Sequence, residues 1–244
     1  MDLLSAAELL EVWEQGFRQP LAQRALVLLS VACPDLDREA LARLSIGRRD
    51  GLLVSTRESA FGPRLSAITD CPKCDKQLET HFYVEDVRTS NGSRAAESGS
   101  VSANGYEVRF RLPDTTDLLA AGDQQDAEAA RQILLKRCVL SARRNSAEWS
   151  MDALPEEIVT EIERKMFEMD PQANVQLEFG CPICGEKWSA VFDILTFFWG
   201  ELDAWAQRLL IEVHTLASAY GWREADILEM SAARRGIYLN MVDR

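Results

Sequence analysis

The sequence predicts an α+β protein, mostly helical, with a small antiparallel sheet formed by two cysteine-bearing hairpins. Three observations carry that reading. Stretches at both ends of the chain place apolar residues at helical spacing. Two shorter stretches alternate apolar and polar residues with a period of two, and each is interrupted by Cys-x-x-Cys. The 244 residues are 47% hydrophobic and 27% charged, ordinary for a globular chain long enough to bury a sizeable core.

The elements follow in order. Leu9, Leu10, Trp13 and Phe17 recur at helical spacing between Glu8, Glu11 and Glu14. Pro20 opens a second helix with Leu21, Ala25, Leu28, Leu29 and Ala32 as its buried stripe, and Pro34 stops it. Asp37 to Leu44 reads as a short third helix. Gly47-Arg48-Arg49-Asp50 leads into a fourth through Leu52, Leu53, Arg57 and Phe61, ended by Gly62-Pro63. Leu65 to Thr69 and Leu78 to Val84 read as strands flanking the first cysteine pair. Thr89 to Gly105, rich in Ser, Asn, Gly and Ala, reads as a mobile hairpin tip. Tyr106, Val108, Phe110 and Leu112 mark one face of a further strand. Asp114 caps a short helix, and Ala127 to Ser141 follows with Ala130, Ile133, Leu134, Cys138 and Leu140 on its buried side. Pro155 to Met169 is an acidic helix. Strands enter and leave the second cysteine pair through Val175, Leu177, Phe179 and Trp188, Ala190, Phe192. Phe197 to Tyr220, Trp222 to Met230 and Ala233 to Val242 are helical. The segments are 1–64 helical, 65–112 first knuckle hairpin with loop 89–105, 113–172 helical insertion, 173–193 second knuckle hairpin and 194–244 helical, together one compact unit. The N- and C-terminal helices are expected to pack together.

Cys71-Pro72-Lys73-Cys74 and Cys181-Pro182-Ile183-Cys184 are two copies of one device, a tight turn between two strands. Two residues between cysteines let both sulfurs face one ion about 2.3 Å away, and the turn aims backbone N–H groups at the thiolates. Cys71, Cys74, Cys181 and Cys184 are therefore the candidate ligands of one structural Zn2+, a closed shell with no open position for catalysis. More than a hundred residues separate the pairs, far more than in a compact zinc ribbon. The repeated strand–knuckle–strand context favours one shared ion over redox dithiols, buried free thiols or two half-sites. A thioredoxin-type pair would open a helix at its first cysteine. His81, on a polar strand face near Cys74, is a lesser candidate ligand, better read as solvent-facing; His214 reads as a packed helix residue. Cys33 and Cys138 read as core thiols.

The formal net charge of −12 repels phosphate, which disfavours the alternative of a zinc-dependent nucleic-acid-binding module and anionic membranes as partners. No apolar run reaches membrane-spanning length, and the stretch from Val191 to Trp199 is broken by Asp193 and Thr196. The N-terminal residues lack a basic n-region and a cleavage site, so a cytoplasmic protein is expected. No phosphate loop, Gly-x-Ser-x-Gly elbow or His-Glu-x-x-His occurs, so no enzyme is expected and no catalytic residue is named. Glu156, Glu157, Glu161, Glu163 and Glu168 read as a solvated face, with docking of a basic partner the lesser alternative. Phe192, Phe197, Phe198, Trp199 and Trp205 read mostly as core.

Three stretches carry a family resemblance. The first is Trp13-Glu14-Gln15-Gly16 with Pro20, Arg24-Ala25-Leu26 and Leu28-Leu29. The second runs from Gly47-Arg48-Arg49-Asp50 through Phe61-Gly62 to the first cysteine pair. The third is Tyr220-Gly221-Trp222-Arg223-Glu224-Ala225-Asp226-Ile227-Leu228, then Arg234-Arg235 and Tyr238-Leu239. In this order they resemble the baseplate hub assembly chaperone family of contractile phage tails and phage-tail-like contractile injection systems. The resemblance implies a non-enzymatic assembly or baseplate protein whose partners are hub, spike or other tail subunits. Trp222, Tyr238 and nearby apolar residues exceed what a short corner must bury, so the contact surface is expected to include part of the C-terminal helical region, with Arg234 and Arg235 as exposed charges; Trp222 reads equally as a residue that serves the fold.

Overall fold

The protein is known here from a computed structural model that describes residues 4–89, 97–122, 124 and 126–242. Four helices come first: α1 (Ala6–Gly16), α2 (Leu21–Ala32), α3 (Arg38–Arg43) and α4 (Ile46–Phe61). Their starts are set by side chains that accept the first free N–H groups: Ser5 with Glu8 in a capping box, Asp37 and Ser45. The first hairpin follows as β1 (Arg64–Asp70) and β2 (Gln77–Tyr83), then the short α5 (Val84–Val87). Strands β3 (Ser98–Ala103) and β4 (Tyr106–Arg111) precede α6 (Thr115–Ala121) and α7 (Ala127–Cys138). After them come β5 (Val139–Arg144), β6 (Ala147–Glu148) and α8 (Glu156–Met169). The second hairpin is β7 (Val175–Gly180) and β8 (Lys187–Phe192). The chain closes with α9 (Ile194–Tyr220), α10 (Glu224–Leu228) and α11 (Ala232–Val242).

Helix dominates, at 57% of the described residues, and every strand pair among them is antiparallel. Among the described residues the strands divide into three sheets rather than one. Each cysteine hairpin is a two-stranded sheet of its own, and β3-β4-β5-β6 form a four-stranded sheet between them in sequence. Tyr106–Leu112 thus pairs with β3 and β5, not with the first knuckle. The expected loop 89–105 divides: residues 90–96 lie outside the described residues, and Ser98–Ala103 is a strand. Its composition hid it, because it buries one large side chain, Val101, and is held by the ladder to β4. Gly99 fits there because a Cβ would meet Met169 Sδ and the Phe110 ring at 2.7 Å. Asn104 and Gly105, both at positive φ, turn the chain tightly into β4. Similarly α7 stops at Cys138, and Val139–Arg144 is a strand, which leaves Leu140 exposed on its outer side.

Among the described residues, three apolar clusters hold the fold together. The largest joins α1, α2, α4, the start of α9 and the inner ends of both hairpins, through Val12, Leu28, Leu53, Leu65, Phe82 and Phe198. The N- and C-terminal helices meet here as expected. The second seals β3, β4 and β5 against α8 through Val108, Phe110, Ile158 and Ile162. The third is the helical corner of α9, α10 and α11 around Leu216 and Ile227. Gly221 ends α9 in the left-handed conformation (φ 68°, ψ 20°), and Trp222 folds back to stack on Tyr220 with ring centroids 4.5 Å apart.

Several side chains depart from expectation. Gly47-Arg48-Arg49-Asp50 is the first part of α4 itself. Gly47 faces Asp170, whose carboxylate accepts its N–H at 2.8 Å; a Cβ there would meet Asp170 Oδ1 at 2.1 Å. Arg49 and Asp50 are buried and paired, and burial, opposed by Arg49, pushes the Asp50 carboxyl up to about 6. His214 is exposed, since α9 buries Val213 and Leu216 on its other side. Arg235 is buried, bonded to Glu212 at 2.8 Å and to the Met230 carbonyl at 2.7 Å, so of the arginine pair Arg234 alone is exposed.

Candidate metal centre

The two knuckles are built alike. In the first, Cys71 N–H donates to the Lys76 carbonyl at 3.0 Å and Asp75 N–H to the Cys71 carbonyl at 2.9 Å. In the second, Cys181 N–H donates to Glu186 at 2.8 Å and Gly185 N–H to Cys181 at 2.9 Å. The fourth residue after each first cysteine closes the turn at positive φ, 53° in Asp75 and 73° in Gly185. These bonds fix each pair of sulfurs on one side of its turn. The apolar base joins the hairpins, with the Phe82 and Phe192 rings edge to face at 5.5 Å. Lys73 and Glu186 pair across the tips at 3.0 Å.

The result brings Cys71, Cys74, Cys181 and Cys184 together, all four sulfurs within 4.8 Å of one another. Cys71 Sγ lies 3.6 Å from Cys184 Sγ, and Cys74 Sγ 3.7 Å from Cys181 Sγ. No disulfide joins them. A tetrahedron with Zn–S bonds of about 2.3 Å places its sulfurs about 3.8 Å apart, so spacing and donor type both fit a zinc site. Cys71 and Cys181 are buried while Cys74 and Cys184 are half-buried.

The thiols are electrostatically unequal. Hydrogen bonding, first from the Cys184 backbone N–H, lowers Cys181 to about 7 despite its burial. At Cys74 the Lys76 N–H also works to lower the value, but burial and bonds with the other cysteines push it up to about 12. Cys184 is raised in the same way, against the Glu186 N–H. Thiolates of one sign this close need a cation between them before all four ionise. His81 takes no part: its Nδ1 bonds Ser66 Oγ at 2.9 Å and its Nε2 lies beside Glu79. Cys33 and Cys138 lie apart from the cluster. Cys138 is buried, and burial with the nearby Asp117 raises its thiol to about 12; Cys33 is half-buried at the end of α2.

Sequence reading missed a polar network around Asp117. Asp117, fully buried, takes two bonds from Arg111 at 2.6 and 2.8 Å and one from Arg137 at 2.7 Å. It also accepts the Asp114 N–H as part of the α6 capping box. Burial works against ionisation, but these partners hold Asp117 down at about 2. The capping pattern was readable; the arginines come from another strand and another helix. The acidic face of α8 is partly neutralised within the chain. Arg131 binds Glu128, Glu156 and Glu163, and Arg164 binds Glu161 and Glu168.

Fold and site together define a helical α+β protein in which two distant hairpins meet at a four-cysteine cluster suited to a metal. Residues 17–199 match the family model described as T4 bacteriophage base plate protein, and the chain belongs to that family. It is thus a phage baseplate protein. The match takes in both knuckles and ends early in α9, so the corner of α10 and α11 lies outside it. Neither a curated protein nor a solved structure shows significant similarity. Among the described residues, no helix is long and apolar enough to cross a membrane.

Proposed function

We propose that this chain is a non-enzymatic accessory protein, stabilised by one structural zinc. It binds baseplate hub, spike or other tail subunits and promotes their assembly into a contractile tail or a related contractile injection system. It acts in the cytoplasm of the producing cell, as a hub assembly chaperone does. The family match over residues 17–199 is the observation that carries the reading. The four-cysteine shell supports the zinc arm, because four sulfur ligands leave no coordination position for substrate. The zinc holds together two segments far apart in sequence, which keeps the surface around them in one shape.

Deletion of the gene tests the function. Particles should be absent or misassembled while sheath and tube subunits accumulate at normal levels. Normal particles from the deletion strain would exclude the assembly role. Elemental analysis of the purified protein tests the metal separately, with about one zinc per chain expected.

A further inference from the structure

Helices α2, α4, α6 and α9 converge around a cavity of about 390 Å3, at the small end of built binding sites. Leu21 and Ala22 at the start of α2, Leu118 and Leu119 near the end of α6, and Leu195 supply most of its wall. Two charged residues complete it, Arg49 of α4 and Asp193 at the start of α9.

Arg49 is buried, with 4% of its side chain exposed. Its Nε and Nη2 both donate to Asp50 Oδ1, at 2.8 and 2.7 Å. Its Nη1 is buried as well, and has no partner among the described residues. Buried polar groups are nearly always hydrogen-bonded, and a charged donor left unmatched is costly. An acceptor for Nη1 therefore has to come from outside the described chain, and the cavity that Arg49 lines is the space it can enter. A second set of donors lies on the same wall. Helix α2 has Pro20 as its N-cap, and no side chain caps its first N–H groups. The Pro20 carbonyl accepts from Gln23 and Arg24, which leaves the N–H groups of Leu21 and Ala22 at the cavity.

The charges decide what kind of acceptor fits. Arg49 is already matched by Asp50, and Asp193 adds a carboxylate at the rim, where it caps α9 through Leu195 and Thr196. Burial raises Asp50, and Asp193 and Asp170 raise it further, so another anion would add to that repulsion. An uncharged carbonyl oxygen takes the Nη1 hydrogen bond without adding charge. The leucine walls call for an apolar group beside it. A peptide segment meets both needs at once, since every apolar side chain has a backbone carbonyl next to it.

We propose that this cavity receives a segment of another baseplate subunit. One apolar side chain seats against Leu118, Leu119 and Leu195, and the neighbouring backbone carbonyl accepts from Arg49 Nη1 and the start of α2. The inference rests on the proposed function for the class of partner; the demand for a neutral acceptor rests on Arg49 alone.

The test uses the full chain and has two arms. The first titrates N-acetyl-leucine N-methylamide, an apolar side chain between two neutral carbonyls, against the amide signals of Leu21, Ala22 and Leu119. N-acetyl-leucine with its free carboxylate and inorganic phosphate are the charged comparisons. The neutral probe should shift those signals saturably and bind about tenfold more tightly than the carboxylate, with phosphate inert. Tighter binding of either charged probe, or no saturable shift with any of the three, would overturn the proposal. The second arm co-expresses the chain with each tail and baseplate subunit encoded by the same virus. Ala22→Phe fills the cavity from its rim and leaves the Arg49–Asp50 pair intact; Leu119→Trp does so from the opposite wall should the first variant fold poorly. A variant with an unchanged melting temperature should lose the probe shifts and capture the subunit about tenfold less well than wild type. Undiminished capture would overturn the cavity as a docking site and leave the proposed function standing. Failure of the wild type to retain any subunit would sink the proposed function, and this occupant with it.

Discussion

The knuckle pair and the four-stranded sheet with α8 solve the same problem by opposite means. The hairpins expose Ile68, Ile183 and Val191 and hold few fully buried side chains beyond Leu65, Phe82, Val175 and two of the cysteines. Their tips are gathered by four sulfurs. The β3–β6 sheet has no such staple among the described residues, and relies on Val108, Phe110, Ile158 and Ile162 together with the Asp117 arginine network. A region that cannot bury enough apolar surface needs a cross-link; one that can needs its buried charges paired.

The largest test of that contrast is removal of the proposed zinc. Structural zinc supplies folding free energy on the order of 10 kcal/mol in small fingers. Chelation, or Cys71→Ser, should abolish amide protection in β1, β2, β7 and β8. Hydrogen exchange at Val108 and Phe110 should change far less. Equal loss in both regions would make the two a single cooperative unit and erase the comparison.

Next in size is Asp117→Asn. Removing one partner of a buried charged network costs about 3–5 kcal/mol, since half-buried Arg111 is left with only the more distant Asp114 carboxylate, 3.5 Å away. The pH dependence has a definite sign. Asp117 titrates near 2 in the folded protein and near 4 unfolded, so its contribution is present above about pH 4 and fades as pH falls toward 2. Denaturation midpoints measured across that window should slope for the wild type and flatten for the variant, with zinc content unchanged at neutral pH.

Gly99→Ala tests the sheet's packing more gently. Its Cβ would press on Met169 and Phe110, and a loss of about 1–3 kcal/mol is expected in urea melts. The smallest effect belongs to Asp75→Gly. Asp75 adopts the left-handed turn that Gly185 occupies in the matching knuckle. Glycine removes that strain but loosens the unfolded chain, so the net change should stay within about 1 kcal/mol with zinc retained. A large loss of stability would give the Asp75 side chain a role its turn does not require.

The two regions also differ in how far they were legible. Cys-x-x-Cys between alternating residues is a local pattern, and all four knuckle strands were found within a residue or two of their ends. Strand β3 was not, because Ser, Gly and Ala carry no periodic signal, and its partner β4 supplies what holds it. The first half of strand β5, to Ser141, was absorbed into a helix because Leu140 continues the apolar spacing of α7. The Arg234-Arg235 pair shows the same limit on one side chain, since only the fold brings Glu212 to Arg235.

By itself the sequence determined the helices, their caps, the two knuckles and the four cysteines, because each depends on residues within a turn or two of one another. Tertiary structure alone decided that the sulfurs meet, since Cys74 and Cys181 are 107 positions apart yet 3.7 Å from contact partner to partner. It also decided that the strands form three sheets, that Asp117 lies among arginines and that a cavity opens beside Arg49. Those are contacts between distant segments, and closing the long loops between them depends on the summed burial of the whole core, which no local pattern records.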